Sequence, residues 1–533
     1  MKYQLWTENW IPVVTTAGSE ECSLREVLGR AHQISHLQQD NPLIEVALFR
    51  LLMAIVLDMR ATHDSEWKKQ WDLACFDPVE IDHYAHQVED RFDLLDPVKP
   101  FYQVADLTTP SGEVKSTLLL YPEIASGNNV PVFSSVTEAT PPKLFLAEAA
   151  RRLIALQGMD VAGIKSGAVG DPTMAAGKTT GNPTGVLGRL GLTIPLGSNL
   201  FQSLMLNIPP YPLRQGDDPV WRRSPVGAAW ETRPARGLLD ELTWQSRRVR
   251  LVPDPTDPSF ITGVIVAAGD RLEAIDPGIE PHTAWHAADP SRRQMSQRPI
   301  RHQPGKAAWR GMDSLLAGHE PDELAAKALS LQWIGDREAV LGPDYPVNVR
   351  TVGIIYGNQN AVIDHVISDE IPLPVLSLSD SAEGQELRDN LIAMADKADE
   401  VRKSLNGLLN NLRKSCGGAP VPWDKGEHPG DEFISAIDQA TRAFLTRVSA
   451  HPDQLLDADL CWQLQAWQAA FHIADRLLSA APPMTFIGRS DNPDKSGDQP
   501  INQARAEGFF RAGLKKILSN AYDEITKERR KND

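Results

Sequence analysis

The strongest local concentration of reactive side chains is a basic segment, residues 291–311, with the sequence SRRQMSQRPIRHQPGKAAWRG. It contains no acidic residue, and its cations are Arg292, Arg293, Arg298, Arg301, Lys306 and Arg310. Clustered cations attract phosphate, so the segment could bind RNA or DNA. It could equally be a surface loop whose cations pair with acids elsewhere in the chain. Both interpretations stay open at the level of sequence.

A second basic cluster lies in the alternating sequence RRVRL. In a strand, Arg248 and Arg250 share one face, and Arg247 lies on the other face with Val249. We therefore expect at least one of these arginines to form a structural ion pair rather than to face solvent.

The chain shows no recognisable catalytic motif. The glycines between 163 and 191 are not followed by the GK[ST] of a phosphate-binding loop, and GxSxG, HExxH and EF-hand patterns are missing. His32 and His36 have the spacing of a helical metal pair but no suitable third ligand. We predict no enzyme activity, no metal and no cofactor. A metal-dependent nuclease or hydrolase with a helical appendage is the alternative, because distant carboxylates can converge on metal ions.

The total charge limits how this protein can bind nucleic acid. Its 54 Lys and Arg against 70 Asp and Glu give a formal net charge of −16. That charge argues against a free-standing binder that attracts phosphate with its whole surface. It is compatible with a subunit that touches DNA through one local patch while partner subunits hold the backbone.

Cysteine usage and hydropathy indicate the compartment. The four cysteines form no CxxC pair, and the first residues lack the apolar segment of a signal peptide. No apolar run approaches the roughly 18 residues of a membrane span. We expect a cytoplasmic protein with no membrane partner.

The chain is too long for one hydrophobic core, since single cores stop growing near about 250–300 residues. Residues 1–375 mix helical and strand-like patterns and predict an α/β domain with long loops. The glycine-rich stretch 163–191 predicts a flexible loop system. Individual expectations are a capping box at Ser23 and Glu26, a buried helix from Pro42, a helix over 143–157, and short strands GLLDELTW, RRVRLVPD and FITGVIVAAG.

Residues 376–533 have a different pattern, with apolar residues at alternating spacings of four and three. Such seams predict amphipathic helices that pack together. The third of four seams consists of Leu460, Leu464, Trp467, Phe471, Ala474 and Leu478. Four helices with turn-rich connections predict a C-terminal four-helix bundle, which makes the whole chain α+β.

Several segments together resemble one protein family. They are NWIPV (9–13), SLREVLGRAHQI followed by DNPLIEVALFRLLMAI, DRFDLLDPVKPFYQV (90–104), NLFQSLMLNI (199–208), LTWQSRRVRLVPD (242–254) and YGNQNAVID (356–364). In this order and over essentially the whole chain they resemble the large subunit of the type I-E CRISPR surveillance complex, Cascade.

The resemblance implies a non-catalytic subunit of an RNA-guided antiviral complex. Its implied partners are the other Cascade subunits, CRISPR guide RNA, double-stranded target DNA and a recruited helicase–nuclease. Such a subunit recognises a short protospacer-adjacent motif (PAM) from the minor groove and inserts a hairpin wedge that starts strand separation and R-loop formation. The guide reads the target sequence by base pairing, and protein reads the PAM.

The resemblance also implies site residues. The family's glycine loop corresponds to Asp160, Val161, Ala162 and Gly163, followed by Lys165, although only Gly163 is a glycine here. The cation that the family inserts into the minor groove corresponds to Arg271. The alternative interpretation of Arg271 is an exposed cation on a strand, without a role in DNA binding. The wedge corresponds to the hairpin tip with Asn358, Gln359 and Asn360, and we favour Gln359 as the wedge side chain. A loop that touches guide RNA or other subunits corresponds to Val132, Phe133, Ser134 and Ser135.

A third interpretation, besides the PAM-reading subunit and the enzyme, is a structural scaffold that makes no direct contact with DNA.

Overall fold

The computed structural model of the protein describes residues 2–59, 64–125, 136–288, 296–318, 325–422, 425–489 and 500–532. The chain forms two compact units. The first comprises residues 1–308, 317–340 and 347–370, and the second comprises 309–316, 341–346 and 371–533. The predicted domain boundary between residues 375 and 376 stays a prediction.

Short strands and helices alternate through the N-terminal half of the chain. In order they are β1 (Ile11–Thr15), β2 (Gly18–Cys22), α1 (Leu24–Gly29), β3 (Ile34–Leu37), α2 (Pro42–Met59), α3 (Asp64–Leu73), α4 (Pro78–Val88), β4 (Lys115–Ser116), β5 (Leu144–Phe145), α5 (Leu146–Met159), β6 (Gly163–Ser166), β7 (Lys178–Asn182), β8 (Gly191–Leu196), α6 (Leu200–Leu206), β9 (Thr232–Arg233), α7 (Leu238–Leu242), β10 (Arg247–Pro253) and β11 (Phe260–Ala268).

The remaining elements lead into a set of long helices. They are β12 (Arg271–Leu272), β13 (Trp285–His286), β14 (Arg298–Pro299), α8 (Met312–Leu315), β15 (Ala325–Ala326), α9 (Leu329–Asp336), α10 (Glu338–Leu341), β16 (Pro346–Tyr356), β17 (Ile363–Pro374), α11 (Ala382–Ser415), α12 (Pro429–Ala450), α13 (Leu455–Ser479), α14 (Met484–Ile487), α15 (Gln503–Ile517) and α16 (Ser519–Asn532). The predicted α+β fold class is confirmed.

The described strands form five sheets, and three of them contain all the strands longer than two residues. The largest has the strand order β10-β11-β6-β7, with β4 and β5 also pairing with β11. A second has the order β2-β1-β3, and a third has the order β17-β16-β8. The long antiparallel pair β10 and β11 confirms two of the predicted strands.

Helix α2 forms the centre of the first unit. Its residues from Leu43 to Leu57 are almost all buried, including the charged Arg50. A helix that is apolar on every side must be enclosed by other elements, and α2 packs against α5, α6 and α7. The predicted capping box at the start of α1 is also confirmed, since Ser23 accepts from the Glu26 amide and Glu26 reaches back to Ser23.

The long helices of the second unit form the predicted four-helix bundle, with α11 packed on α12, α13 and α15. The predicted seam of α13 is wrong in register. Its buried residues are Ala458, Trp462, Gln463, Ala466, Ala470, Ile473 and Ala474, whereas five of the six predicted residues are half-buried. The reason is steric, because alanine lets helix backbones approach closely, and the Trp462 indole also donates to Thr441 Oγ1 (3.0 Å).

Three further expectations are corrected. GLLDELTW contains helix α7 rather than a strand, and its first turn is held by Asp217, which accepts from the amides of Leu239 and Asp240. The glycine-rich stretch 163–191 contains the ordered antiparallel strands β6 and β7 instead of a continuous loop. His36 lies in strand β3, so it cannot share a helical face with His32.

No helix in the described ranges is both long and apolar enough to cross a membrane.

A polar cluster lies buried in the core beside α2. Arg50 donates to both carboxylate oxygens of Glu280 (2.9 Å each), which holds the pKa of Glu280 at about 2 despite its burial. Glu241 is buried beside this pair, and its carboxyl group forms a hydrogen bond with Glu280 only when Glu241 is protonated and donates. Burial, the charge of Glu280 and the hydrogen bond with Glu280 raise the pKa of Glu241 well above its usual range. The charge of Arg50 opposes this rise, and that of Asp276 adds to it.

We predict that Glu241→Gln stabilises the protein at alkaline pH. Because the pKa of Glu241 is raised on folding, its contribution to stability is complete below the unfolded pKa and is lost as pH rises through the folded pKa. The variant should therefore melt at a higher temperature than the wild type at pH 8, with a smaller difference at pH 5. Thermal unfolding across this range measures it, with the exposed Glu231→Gln as control. An unchanged pH dependence would show that Glu241 is not the titrating group.

Candidate nucleic-acid interface

Two of the predicted site segments touch each other directly. The loop 160–163 connects α5 to β6, and the hairpin tip 357–360 connects β16 to β17. The amide of Ala162 donates to the carbonyl oxygen of Asn360 (2.8 Å). Segments almost two hundred residues apart in sequence thus form one surface feature.

A buried charge cluster supports the loop from beneath. The Asp160 carboxylate accepts from the Lys165 ammonium (2.6 Å) and from Nε of Arg247. All three side chains are largely enclosed, with exposures of 6% for Asp160, 12% for Lys165 and 2% for Arg247. We therefore assign Asp160 and Lys165 to holding the loop in place, because their charged groups already bind each other.

The electrostatics of the cluster are those of a buried ion pair. Burial alone would raise the pKa of Asp160, but Lys165 and Arg247 reverse this and hold it below its usual value. Burial lowers the pKa of Lys165, and the charge of Arg247 lowers it further, while Asp160 opposes both. Removing the Asp160 carboxylate would leave two cations in the interior without a counter-charge, which is strongly destabilising.

Arg247 also fixes the backbone on both sides of the loop. Its Nη2 donates to the carbonyl oxygens of Val161 (3.0 Å) and Pro183 (2.7 Å). Arg247 pairs with Asp160, and Arg248 pairs with Asp270 (2.6 Å). Both are structural ion pairs of the kind that the RRVRL pattern predicts.

Gly163 begins strand β6 in a conformation that its residue type permits. Its φ is +123°, which L-residues with a side chain rarely adopt. Its carbonyl oxygen accepts from Nδ2 of Asn182 (3.0 Å), and the same amide nitrogen donates to the Thr179 carbonyl (2.8 Å). The single glycine of this loop therefore stands where backbone geometry requires it.

The hairpin tip is anchored at its base and exposed at its end. The Tyr356 hydroxyl donates to the Met159 carbonyl at the end of α5 (2.9 Å), and the Gly357 amide donates to Val362 (2.9 Å). Asn358, Gln359 and Asn360 are exposed. Gln359 and Asn360 have left-handed φ values of 53° and 58°. This is uncommon for glutamine, and such outliers concentrate at functional sites.

Arg271 is held in place rather than extended into solvent. Its Nη2 donates to the Thr180 carbonyl (3.0 Å) and lies 3.4 Å from Oδ1 of Asn182. Its guanidinium carbon lies 3.9 Å from the centre of the Trp230 ring. Nη1 makes no hydrogen bond within the described part of the chain, so one end of the fork stays available. Because Arg271 begins strand β12 and is half-buried, its role as the groove-inserting cation stays a prediction.

These contacts join all three predicted DNA-binding parts into one connected unit. Arg271 contacts Asn182, Asn182 binds the Gly163 carbonyl, and the neighbouring Ala162 amide binds Asn360 at the tip. Sequence reasoning missed Asn182 and Trp230. The only sequence signal at Asn182 is the turn-forming Asn-Pro dipeptide, and Trp230 has none.

The basic segment divides into residues with different environments. Arg310 pairs with Asp399 (2.8 Å), and Arg301 donates to the Ile354 carbonyl (2.7 Å). Arg298 is exposed and Lys306 is half-buried. Arg292 and Arg293 lie outside the described residues, as do Val132, Phe133, Ser134 and Ser135 of the predicted RNA-contact loop. Phosphate binding by the basic segment stays a prediction, and Arg310 fits the ion-pair interpretation.

Comparison with known proteins decides the family. The family model for CRISPR-associated protein Cse1 matches residues 4–473. The chain belongs to the Cse1 family. This confirms the resemblance seen in the sequence, because Cse1, also called CasA, is the large subunit of the type I-E Cascade complex.

Individual Cse1 proteins are similar over most of their length. CasA/Cse1 of Thermus thermophilus is 29% identical over 435 residues, which cover 78% of this chain and 79% of the relative. The crystal structure of Thermobifida fusca Cse1 matches with a TM-score of 0.84 and 32% identity, covering 98% of this chain and 99% of that one. A chain of a solved CRISPR RNA-guided surveillance complex shares the fold, with a TM-score of 0.65, 18% identity, and coverage of 97% and 99%.

We predict that Asp160→Asn destabilises the protein by about 3–5 kcal/mol, since it leaves Lys165 and Arg247 buried without a counter-charge. Urea unfolding followed by tryptophan fluorescence measures the change. The control is Asp257→Asn, an exposed acid that caps a turn at Ser259. The contribution of Asp160 should be complete above its ordinary pKa of 3.8 and be lost as pH falls through its lower folded pKa. Equal stability of the two variants would mean that the cluster does not support the loop.

Proposed function

We propose that this Cse1-family chain recognises the PAM in double-stranded target DNA from the minor groove and uses its hairpin tip to begin strand separation. The observation that carries the proposal is the hydrogen-bonded unit of the loop 160–163, the tip 357–360 and Arg271. A PAM reader must bind the intact duplex and open it at the adjacent base pair. These tasks require a groove-binding part and a wedge at a fixed distance from each other.

The residue types suit a minor groove. The groove is narrow and presents mainly acceptors, with a donor only at G·C pairs. Ala162 and Gly163 are small and half-buried, so the backbone can approach the base edges. Arg271 supplies a cation with a free Nη1 group. Proteins that open DNA from this side insert a side chain between base steps, and the exposed Gln359 is our candidate.

The acidic charge of the chain fits a division of labour among subunits. A net charge of −16 opposes tight binding of the phosphate backbone by this chain alone. We infer that the other Cascade subunits and the guide RNA hold the target strand. This chain then contributes a local contact at the PAM, after which guide pairing extends the R-loop.

Recruitment of a helicase–nuclease after R-loop formation completes the proposal, with this chain itself non-catalytic. Within the described ranges, no three His, Cys, Asp or Glu side chains lie together as a metal site requires. Incubation of the purified chain with duplex DNA and Mg²⁺ or Mn²⁺ tests the nuclease alternative. Cleavage that a single carboxylate substitution abolishes would establish it.

We predict that Gln359→Ala slows strand opening in the reconstituted complex by roughly tenfold, because losing about 1.4 kcal/mol of transition-state stabilisation has this effect. The measurement is R-loop formation on an intact duplex and on a duplex opened beforehand by mismatches beside the PAM. The defect should appear only on the intact duplex. The exposed Gln439→Ala on α12 is the control. Equal defects on both substrates would rule out the wedge role.

Arg271→Ala should weaken the initial binding of a duplex that carries the PAM. It should also reduce the slope of log affinity against log salt concentration by about one, as expected for the loss of one cation near phosphate. Arg271→Lys should restore the salt slope but only part of the affinity, because lysine keeps the charge and lacks the planar fork. Equilibrium binding between low and moderate salt measures both, with the exposed Arg529→Ala as control. Unchanged binding of Arg271→Ala at every salt concentration would exclude a groove contact.

A further inference from the structure

The first unit contains a cavity that is lined by several cationic side chains and has no part in the proposed function. The cavity has a volume of about 470 Å³, within the usual range for small-molecule sites. Parts of the segments 90–104 and 218–236 form most of its wall. Its lining includes three acidic residues and six cationic residues. The cationic residues are Arg91, Lys99, Arg222, Arg223, Arg233 and Arg236.

Two of these cations form no ion pair within 4 Å in the described part of the chain. Arg91 donates only to the carbonyl oxygens of Trp221 (3.4 Å) and Arg223 (2.6 Å). The side chain of Arg236 is exposed and makes no hydrogen bond or ion pair there. Burial lowers the pKa of Arg91, the neighbouring charge of Asp90 opposes this, and the charge of Arg223 lowers the pKa further. An anion between these guanidinium groups would relieve their repulsion.

Neutral polar groups in the wall are also uncommitted. Tyr102 and Gln245 are only 6% and 7% exposed, and both line the cavity. Neither side chain has a hydrogen-bond partner from the described residues, and the polar atoms of both remain accessible to solvent. Tyr102 also has a left-handed φ of 56°, uncommon for a residue with a side chain. Burial raises the pKa of its hydroxyl, so the group remains a donor.

We propose that this cavity binds the phosphate of a nucleotide, either free or at the 5′ end of a nucleic-acid strand. Guanidinium groups match the geometry of phosphate oxygens and bind them with charge-assisted hydrogen bonds. The Tyr102 hydroxyl donates to the same oxygens, and the Gln245 amide, which both donates and accepts, meets the polar edge of a sugar or base. The cavity residues differ from those of the loop and the tip, and the Glu231 carbonyl in the cavity wall accepts from the Arg271 amide (2.9 Å).

Calorimetric titration of the full-length protein tests the proposal. The probes are adenosine 5′-diphosphate, inorganic pyrophosphate, and a short single-stranded oligonucleotide with and without a 5′ phosphate. Arg236→Ala should weaken binding by at least about tenfold, and Tyr102→Phe by roughly threefold to tenfold, the values for a charged and a neutral hydrogen bond. Arg529→Ala serves as the control and should bind like the wild type.

The probes separate the two sources of phosphate. Binding of the diphosphate without the oligonucleotide assigns the site to a free nucleotide, and preference for the 5′-phosphorylated oligonucleotide assigns it to a strand end. Gln359→Ala should bind either probe unchanged, so failure here is distinct from failure of the PAM proposal. The proposal is overturned if no probe binds at millimolar concentration. It is equally overturned if Arg236→Ala and Tyr102→Phe both bind like the control.

Discussion

The ion cluster of Asp160, Lys165 and Arg247 is the interaction on which the candidate interface depends. It joins the end of α5, strand β6 and strand β10 at a single buried carboxylate. Arg247 also binds the carbonyl oxygens on either side of the loop. The Ala162 amide then connects the loop to the hairpin tip by its hydrogen bond to the Asn360 carbonyl. Buried ion pairs add little net stability compared with apolar packing but define one geometry. That property suits a site in which small backbone surfaces must meet a groove at fixed positions.

Much of the fold follows from residue patterns. The buried helix α2, the pair β10–β11 and the four long helices carry strong periodic signals over many residues, and the structure has all of them. The failures occur where the pattern is short or ambiguous. GLLDELTW has too few residues to separate helix from strand, and Asp217, twenty residues away, decides the outcome by capping α7. The register of α13 depends on alanines, whose small size matters only once the neighbouring helices are in place.

The candidate site was less predictable from sequence. Alternation in RRVRL predicts an ion pair but cannot identify Asp160 as the partner, because that contact spans 87 residues. The family resemblance located the loop, Arg271 and the tip separately. Their connection through Asn182 and the Asn360 carbonyl is a property of the folded chain. Trp230, which supports Arg271, carries no signal in a sequence with 13 tryptophans.

The central claim is that the exposed tip meets DNA beside the PAM. Its most direct measurement places a photo-crosslinking amino acid at position 359 in a complex reconstituted with guide RNA, and maps the crosslinks on target duplexes with an intact or a scrambled PAM. The same group at the exposed position 439 serves as the control. The account predicts crosslinks from position 359 to the bases adjacent to the PAM, only when the PAM is intact. Crosslinking that is missing at position 359, or equal for both duplexes, would contradict it.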